Sequence, residues 1–185
     1  MPKKPDGAKW SPSFQYITKA RYQADGRGIL EPAYTHIFIV PADGGTARQL
    51  TSGNYHHNGR LSFSPDSDKI YFCANRSDNW EYEPVEGDIF SVDMMGNIAQ
   101  LTNDKGLESS PVVSPDGKHI AYARRDDEKV MYKNSYLYVM KSDGTDAKNL
   151  TKDVDNSVSN FHWKDNKHVY FQQSVRGLAQ VDVVS

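Results

Sequence analysis

Apolar residues in this chain come in short runs separated by Gly, Pro, Asp and Ser, and nowhere do they follow the spacing of an amphipathic helix. Runs such as Ile70-Tyr71-Phe72-Cys73, Ile120-Ala121-Tyr122-Ala123 and Val169-Tyr170-Phe171 are rich in β-branched and aromatic residues and predict strands. Residues 88–93 and 136–140 alternate apolar and polar side chains and predict another strand type. A short strand, Arg60-Leu61-Ser62-Phe63-Ser64, precedes the first type, and a fourth ends at a Leu-Thr pair. Pro-Asp-Gly and Asp-Gly mark the turns, because Pro presets φ and Gly tolerates positive φ.

These elements recur. One phrase reads Trp10-Ser11-Pro12-Ser13, Phe63-Ser64-Pro65-Asp66, Val113-Ser114-Pro115-Asp116-Gly117 and Trp163-Lys164-Asp165-Asn166. A second reads Asp43-Gly44-Gly45 to Leu50-Thr51, Met95-Gly96-Asn97 to Leu101-Thr102, and Asp143-Gly144-Thr145 to Leu150-Thr151. Pro12 and Pro65 stand 53 residues apart, Pro65 and Pro115 50, Leu50 and Leu101 51, Leu101 and Leu150 49. A period of about 50 residues with four antiparallel strands per unit is that of a propeller blade. The expectation is an all-β partial β-propeller of about four blades, over about 8–51, 58–102, 109–151 and 159–185. The last blade lacks its outer strand. An unpaired outer edge is a template for further pairing, so an open arc that self-associates through its blade edges is expected over a closed four-bladed ring.

Alternating strand direction sorts the connections onto two faces. The Pro-Asp-Gly and Asp-Gly turns are short and share one face. The longer segments 23–34, 74–87 and 124–134, with the linkers 52–57 and 103–108, share the other, where binding chemistry is expected. The most individual loop runs from Asn75 and Arg76 through Trp80, Glu81, Tyr82 and Glu83 to Glu86. Arg76, Trp80, Glu81 and Glu83 are the candidate substrate-binding residues, since carboxylates beside aromatic rings suit a cationic group such as a peptide amine. The competing reading pairs Arg76 with a neighbouring carboxylate and packs Trp80 over the blade edge.

Composition narrows the function classes. The chain has 185 residues, 37% hydrophobic and 25% charged, in keeping with a soluble globular protein, and its net charge is −2. Its 22 basic residues are scattered, which argues against a nucleic-acid partner. No apolar stretch is long enough for a membrane helix, no apolar run follows Lys3 and Lys4 as a signal peptide would need, and the compartment stays open. Cys73, the single cysteine, falls in register with Ala20, Ala123 and Gln172 and reads as a packed strand residue. His56 and His57 are adjacent on an extended segment and should point opposite ways, so no metal or other cofactor is expected. His119 and His168 sit at equivalent places after a turn. The acidic run Asp126-Asp127-Glu128 has no apolar cover, and no carboxyl is expected to have a pKa raised for acid–base work. There is no Gly-x-Ser-x-Gly, so no catalytic residue is assigned in this chain.

The order of features resembles the propeller repeats of the prolyl oligopeptidase family of serine peptidases, in its acylaminoacyl- and dipeptidyl-peptidase branch. The residues that carry it are Leu50-Thr51-Ser52-Gly53, Ser64-Pro65-Asp66, and Asn75-Arg76 leading to Asp88-Ile89-Phe90. Leu101-Thr102, Ser114-Pro115-Asp116-Gly117-Lys118 and Asn149-Leu150-Thr151 before Asp155-Asn156-Ser157-Val158 complete the order. The Ser-Pro-Asp-Gly repeats alone are shared with TolB-like propellers and, more distantly, with propeller lyases and sugar-binding proteins. The resemblance implies a non-catalytic propeller portion of a larger serine exopeptidase, gating and binding short peptides, with a C-terminal α/β-hydrolase domain as its partner. The alternative is a TolB-like interaction propeller without hydrolase activity. Dipeptidyl members hold the substrate amine with adjacent glutamates; here Glu81 and Glu83 alternate around Tyr82, so that role is not carried over.

Overall fold

The computed structural model describes residues 3–9, 11, 14–126, 130 and 132–185. Trp10, Pro12 and Ser13 of the first repeat phrase, and Asp127 and Glu128 of the acidic run, lie outside the described residues. The chain divides into one unit up to Pro32 and another from Ala33 to Ser185. Among the described residues every regular element is a strand, and every strand pairing is antiparallel.

In the first unit β1 (Gln23–Ala24) pairs with β2 (Gly28–Ile29) around a tight turn, within a segment expected to be loop. Residues 14–20 form no strand. Side chains of this stretch are exposed, Phe14 at 93% and Tyr16 at 85%. An apolar pattern forms a strand only where another surface buries it.

The second unit opens with β3 (Phe38–Ile39) paired to β4 (Arg48–Gln49). The first repeat thus supplies two small pairs in place of a four-stranded sheet. The later repeats match the pattern. β5 (His57–Phe63), β6 (Lys69–Ala74), β7 (Asp88–Asp93) and β8 (Ile98–Gln100) form one four-stranded sheet in sequence order. β9 (Gly106–Val113), β10 (His119–Asp126), β11 (Tyr136–Lys141) and β12 (Lys148–Asn149) form the next. β13 (Ser159–Trp163), β14 (Val169–Val175) and β15 (Leu178–Val184) make a three-stranded sheet. This is a partial propeller.

The first four-stranded sheet buries both faces of its middle strands β6 and β7, and the second does the same at β10, so these strands read as apolar runs. On β6, Ile70, Phe72 and Ala74 join Ile37, Leu50, Phe90 and Val92 in one core, while Tyr71 turns to the opposite face and packs with Ile89, Ile120, Tyr122 and Met140. On β10, Ala121 and Ala123 face a third core with Leu137, Val158, Phe161, Val169 and Phe171. The period-2 geometry of a strand puts neighbours into different cores. Stacking, not a single central core, holds the array.

The repeat phrases are the devices that lock it. In each Ser-Pro-Asp turn the serine hydroxyl donates to the aspartate, Ser64 to Asp66 and Ser114 to Asp116, and accepts the N–H of the residue opening the next strand. The third turn residue has positive φ, 62° at Ser67 and 73° at Gly117, which is why glycine fits there. Gly144 meets a different demand. A Cβ on it would lie 2.5 Å from the Leu101 carbonyl oxygen, so this turn of the second four-stranded sheet packs against backbone at the end of the first.

Candidate functional site

The loop between β6 and β7 is a series of tight turns. Asn75 Oδ1 accepts from the Ser77 amide and hydroxyl, and its Nδ2 donates to the Glu83 carbonyl 2.8 Å away. Backbone bonds Tyr82 N to Asn79 O and Glu86 N to Glu83 O follow. The far end is fastened to the linker before β9: Gly87 N donates to Gly106 O, and Glu108 N to Gly87 O at 2.7 Å.

Arg76 does not reach a loop carboxylate. Its Nη1 lies 2.8 Å from His57 Nε2, and the guanidinium sits 4.8 Å from the Tyr55 ring centre and 5.8 Å from that of Phe90. His57 is buried, and its Nδ1 is 3.1 Å from the Thr35 carbonyl. The N–H therefore belongs on Nδ1, leaving Nε2 to accept from Arg76. Burial lowers the His57 pKa first, with the Arg76 charge adding to it, so the imidazole is neutral.

Trp80 packs edge-on against Tyr34, centroids 6.1 Å apart, and against His56 at 5.4 Å, while Tyr34 and His56 are 5.5 Å apart. The three rings pack on one another. Glu81 and Glu83 are half-buried on either side of the exposed Tyr82. Glu83 and Glu86 face a cation already: Lys105 Nζ lies 3.7 Å and 3.2 Å from them. The structure thus brings Trp80 together with His56 and Tyr34, Arg76 with His57 and Tyr55, and Glu83 with Lys105. No contact between Arg76 and the two glutamates joins them into one cluster.

His56 and His57 diverge, one to Trp80 and the other to Phe72 and Arg76. Among the described residues no group of His, Cys, Asp and Glu is placed to hold a metal ion. Cys73 lies in β6 with its Sγ 3.2 Å from the Asn58 carbonyl, and burial raises its pKa. His119 packs on Trp163, whereas His168 pairs with Asp165.

One expectation is overturned. Burial pushes the Glu108 carboxyl up to about 7 and Asp88 to about 6. Glu108 is completely buried. Its register held the signal: it stands six residues after Thr102 as His57 stands six after Thr51, a place the repeat buries. No apolar run announces it, because the cover comes from neighbouring strands.

A family model described as the dipeptidyl peptidase IV (DPP IV) N-terminal region matches residues 8–121. A TolB from Acinetobacter baumannii is 23% identical with a TM-score of 0.59, over 79% of this chain and 34% of that one. A puromycin-hydrolyzing peptidase from Mycobacterium tuberculosis is 16% identical with a TM-score of 0.62, over 82% of this chain and 27% of that one. An oligogalacturonate lyase from Vibrio parahaemolyticus is 12% identical with a TM-score of 0.62, over 82% and 45%. These likenesses establish the propeller fold. The chain spans about half or less of the length of the solved structures it matches. No curated protein matches it.

Proposed function

The chain belongs to the family of dipeptidyl peptidase IV N-terminal regions, and from that premise we propose that it is the non-catalytic propeller portion of a larger serine exopeptidase. A C-terminal α/β-hydrolase domain supplies the nucleophile, and the propeller gates and binds short peptides on its long-loop face. The observation that carries this reading is the family match over residues 8–121, which includes the Asn75–Arg76 loop. Similarity to a puromycin-hydrolyzing peptidase adds support at the level of fold. In this reading Trp80 offers an aromatic wall to a peptide side chain. Glu81 and Glu83 supply negative charge, which for Glu83 requires the amine to displace Lys105. Arg76, held by His57, orients the loop.

The test is to isolate the native protein with an antibody to this chain and treat it with a fluorophosphonate serine-hydrolase probe. A labelled band several hundred residues longer is the expected result. In that parent, Trp80→Ala should raise KM for short peptides and leave kcat unchanged. The second reading, a TolB-like interaction propeller, is favoured by the likeness to TolB. It predicts an unlabelled protein that co-purifies with a stable protein partner. Blades 8–51, 58–102, 109–151 and 159–185 remain our division of the chain, with self-association through exposed blade edges.

A further inference from the structure

The three larger sheets meet through their first strands, β9 touching both β5 and β13, so these strands converge on the axis of the array. Each breaks its pairing with the second strand of its sheet at the same place, by a bulge. The bulge opens each time on a left-handed residue: Gly59 at φ 88°, Ser110 at 57° and Asn160 at 46°. Serine and asparagine adopt such a φ at a conformational cost, and residues held that way gather at ligand sites.

β5 departs from the other two. Between the pairs Asn58–Cys73 and Ser62–Tyr71 three of its residues oppose one, whereas on β9 and β13 two oppose one. Arg60 lies in this longer bulge and spans β9. Its Nη1 donates to the Phe161 carbonyl at 3.1 Å, and its Nη2 lies 3.2 Å from His162 Nδ1, which must accept because a guanidinium only donates. Both acceptors are neutral. Among the described residues no carboxylate pairs with Arg60, and three of its five N–H groups have no bond. Arg60 is the only Lys or Arg on the three strands, and their only carboxyl, Glu108, bonds Thr102 and faces Arg124. A half-buried guanidinium is left without a counter-charge, beside bulges that carry Ser109, Ser110 and Asn160.

We propose that the axial bulges around Arg60 form a binding site for one carboxylate, on a small organic acid or at the C-terminus of a short peptide. The planar fork of an arginine meets a carboxylate through two parallel bonds. One positive charge among neutral hydroxyl and amide groups matches a monoanion better than a phosphate dianion. Such a site needs no hydrolase domain in the parent, so it holds or fails independently of the peptidase reading.

Nitrogen-15 NMR of the whole chain tests the site, following the Arg60 Nε–H and the backbone amides of the three bulges as ligand is added. Acetate and the tripeptide Gly-Gly-Gly should give saturable shifts there, and the C-terminal amide of the tripeptide none. Arg60→Gln should weaken binding about tenfold or more, the loss of a charge-assisted pair. Arg60→Lys, which keeps the charge without the fork, should fall between. Acetate binding as tightly as the tripeptide assigns the site to a free organic acid, and a tighter tripeptide assigns it to a peptide end. No saturable shift, equal binding of the amide, tighter binding of inorganic phosphate, or unchanged binding by Arg60→Gln overturns the proposal. Should Arg60→Gln not fold, the comparison of acid with amide on the wild type decides alone.

Discussion

Two of the junctions between successive sheets, those that follow the first and second four-stranded sheets, share a backbone plan and are filled differently. At the first, Thr102 accepts the Ile89 N–H and Leu101 N donates to Ile89 O; at the second, Thr151 accepts the Leu137 N–H and Leu150 N donates to Leu137 O. Then they part. The first sets buried Glu108 against Arg124 beside a core of Tyr71, Ile89, Ile120, Tyr122 and Met140. The second sets Val158 among Phe161, Val169 and Phe171, and adds a bond from the Trp163 indole to the Val112 carbonyl. One repeat phrase therefore builds either a titratable junction or an apolar one, according to a single side chain. A buried ion pair recovers little of its desolvation penalty, so the apolar junction should be the more robust of the two.

The largest effect should come from emptying the apolar junction. Phe161→Ala removes a buried ring and should cost about 3–5 kcal/mol in denaturant unfolding, because the stacked sheets cannot collapse into the space. Next comes Gly144→Ala at the first junction, expected to cost on the order of 2–4 kcal/mol from positive φ and a clash with Leu101 backbone. Gly96→Ala, whose added Cβ would stand 3.3 Å from the Leu50 carbonyl oxygen, should cost visibly less in the same assay.

Glu108→Val gives the first junction the residue of the second and should remove its proton linkage. The sign follows from the raised pKa: folded Glu108 keeps its proton up to about 7, while the unfolded chain loses it near 4.5. Its contribution is thus fully present below 4.5 and is lost as pH rises through 7, at no more than about 1.4 kcal/mol per pH unit. Unfolding free energies of wild type and variant measured from pH 5 to 8 should diverge in the variant's favour as pH rises. Their difference isolates Glu108 from His57, whose lowered pKa acts in the opposite sense. The smallest effect is expected of Lys105→Ala. Its ammonium is solvent-exposed, so Tm should not move, and a shift comparable to that of Gly144→Ala would mean that the loop clasp carries the first junction.

The repeat, its period and the strand content were legible because turn chemistry and apolar runs are local properties. Pro115-Asp116-Gly117 announces a turn without reference to the rest of the chain. The first repeat differs from the later ones: Phe14 and Tyr16 are exposed, and residues 14–20 form no strand. At the candidate loop, Arg76 and Trp80 stood out by type, but their neighbours, His57 and Tyr55 for one and Tyr34 and His56 for the other, come from the segments before β3 and β5 and from the first residue of β5. Glu108 was invisible as chemistry.

The sequence by itself determined an all-β array of about 50-residue units, because period-2 strands and Gly- and Pro-bearing turns are set by residues a few positions apart. Tertiary structure alone decided which face of β6 or β10 meets which core, that Arg76 rests on a histidine, and that Glu108 is enclosed. Those outcomes depend on desolvation by side chains far away in sequence, and burial is a property of the assembled sheets.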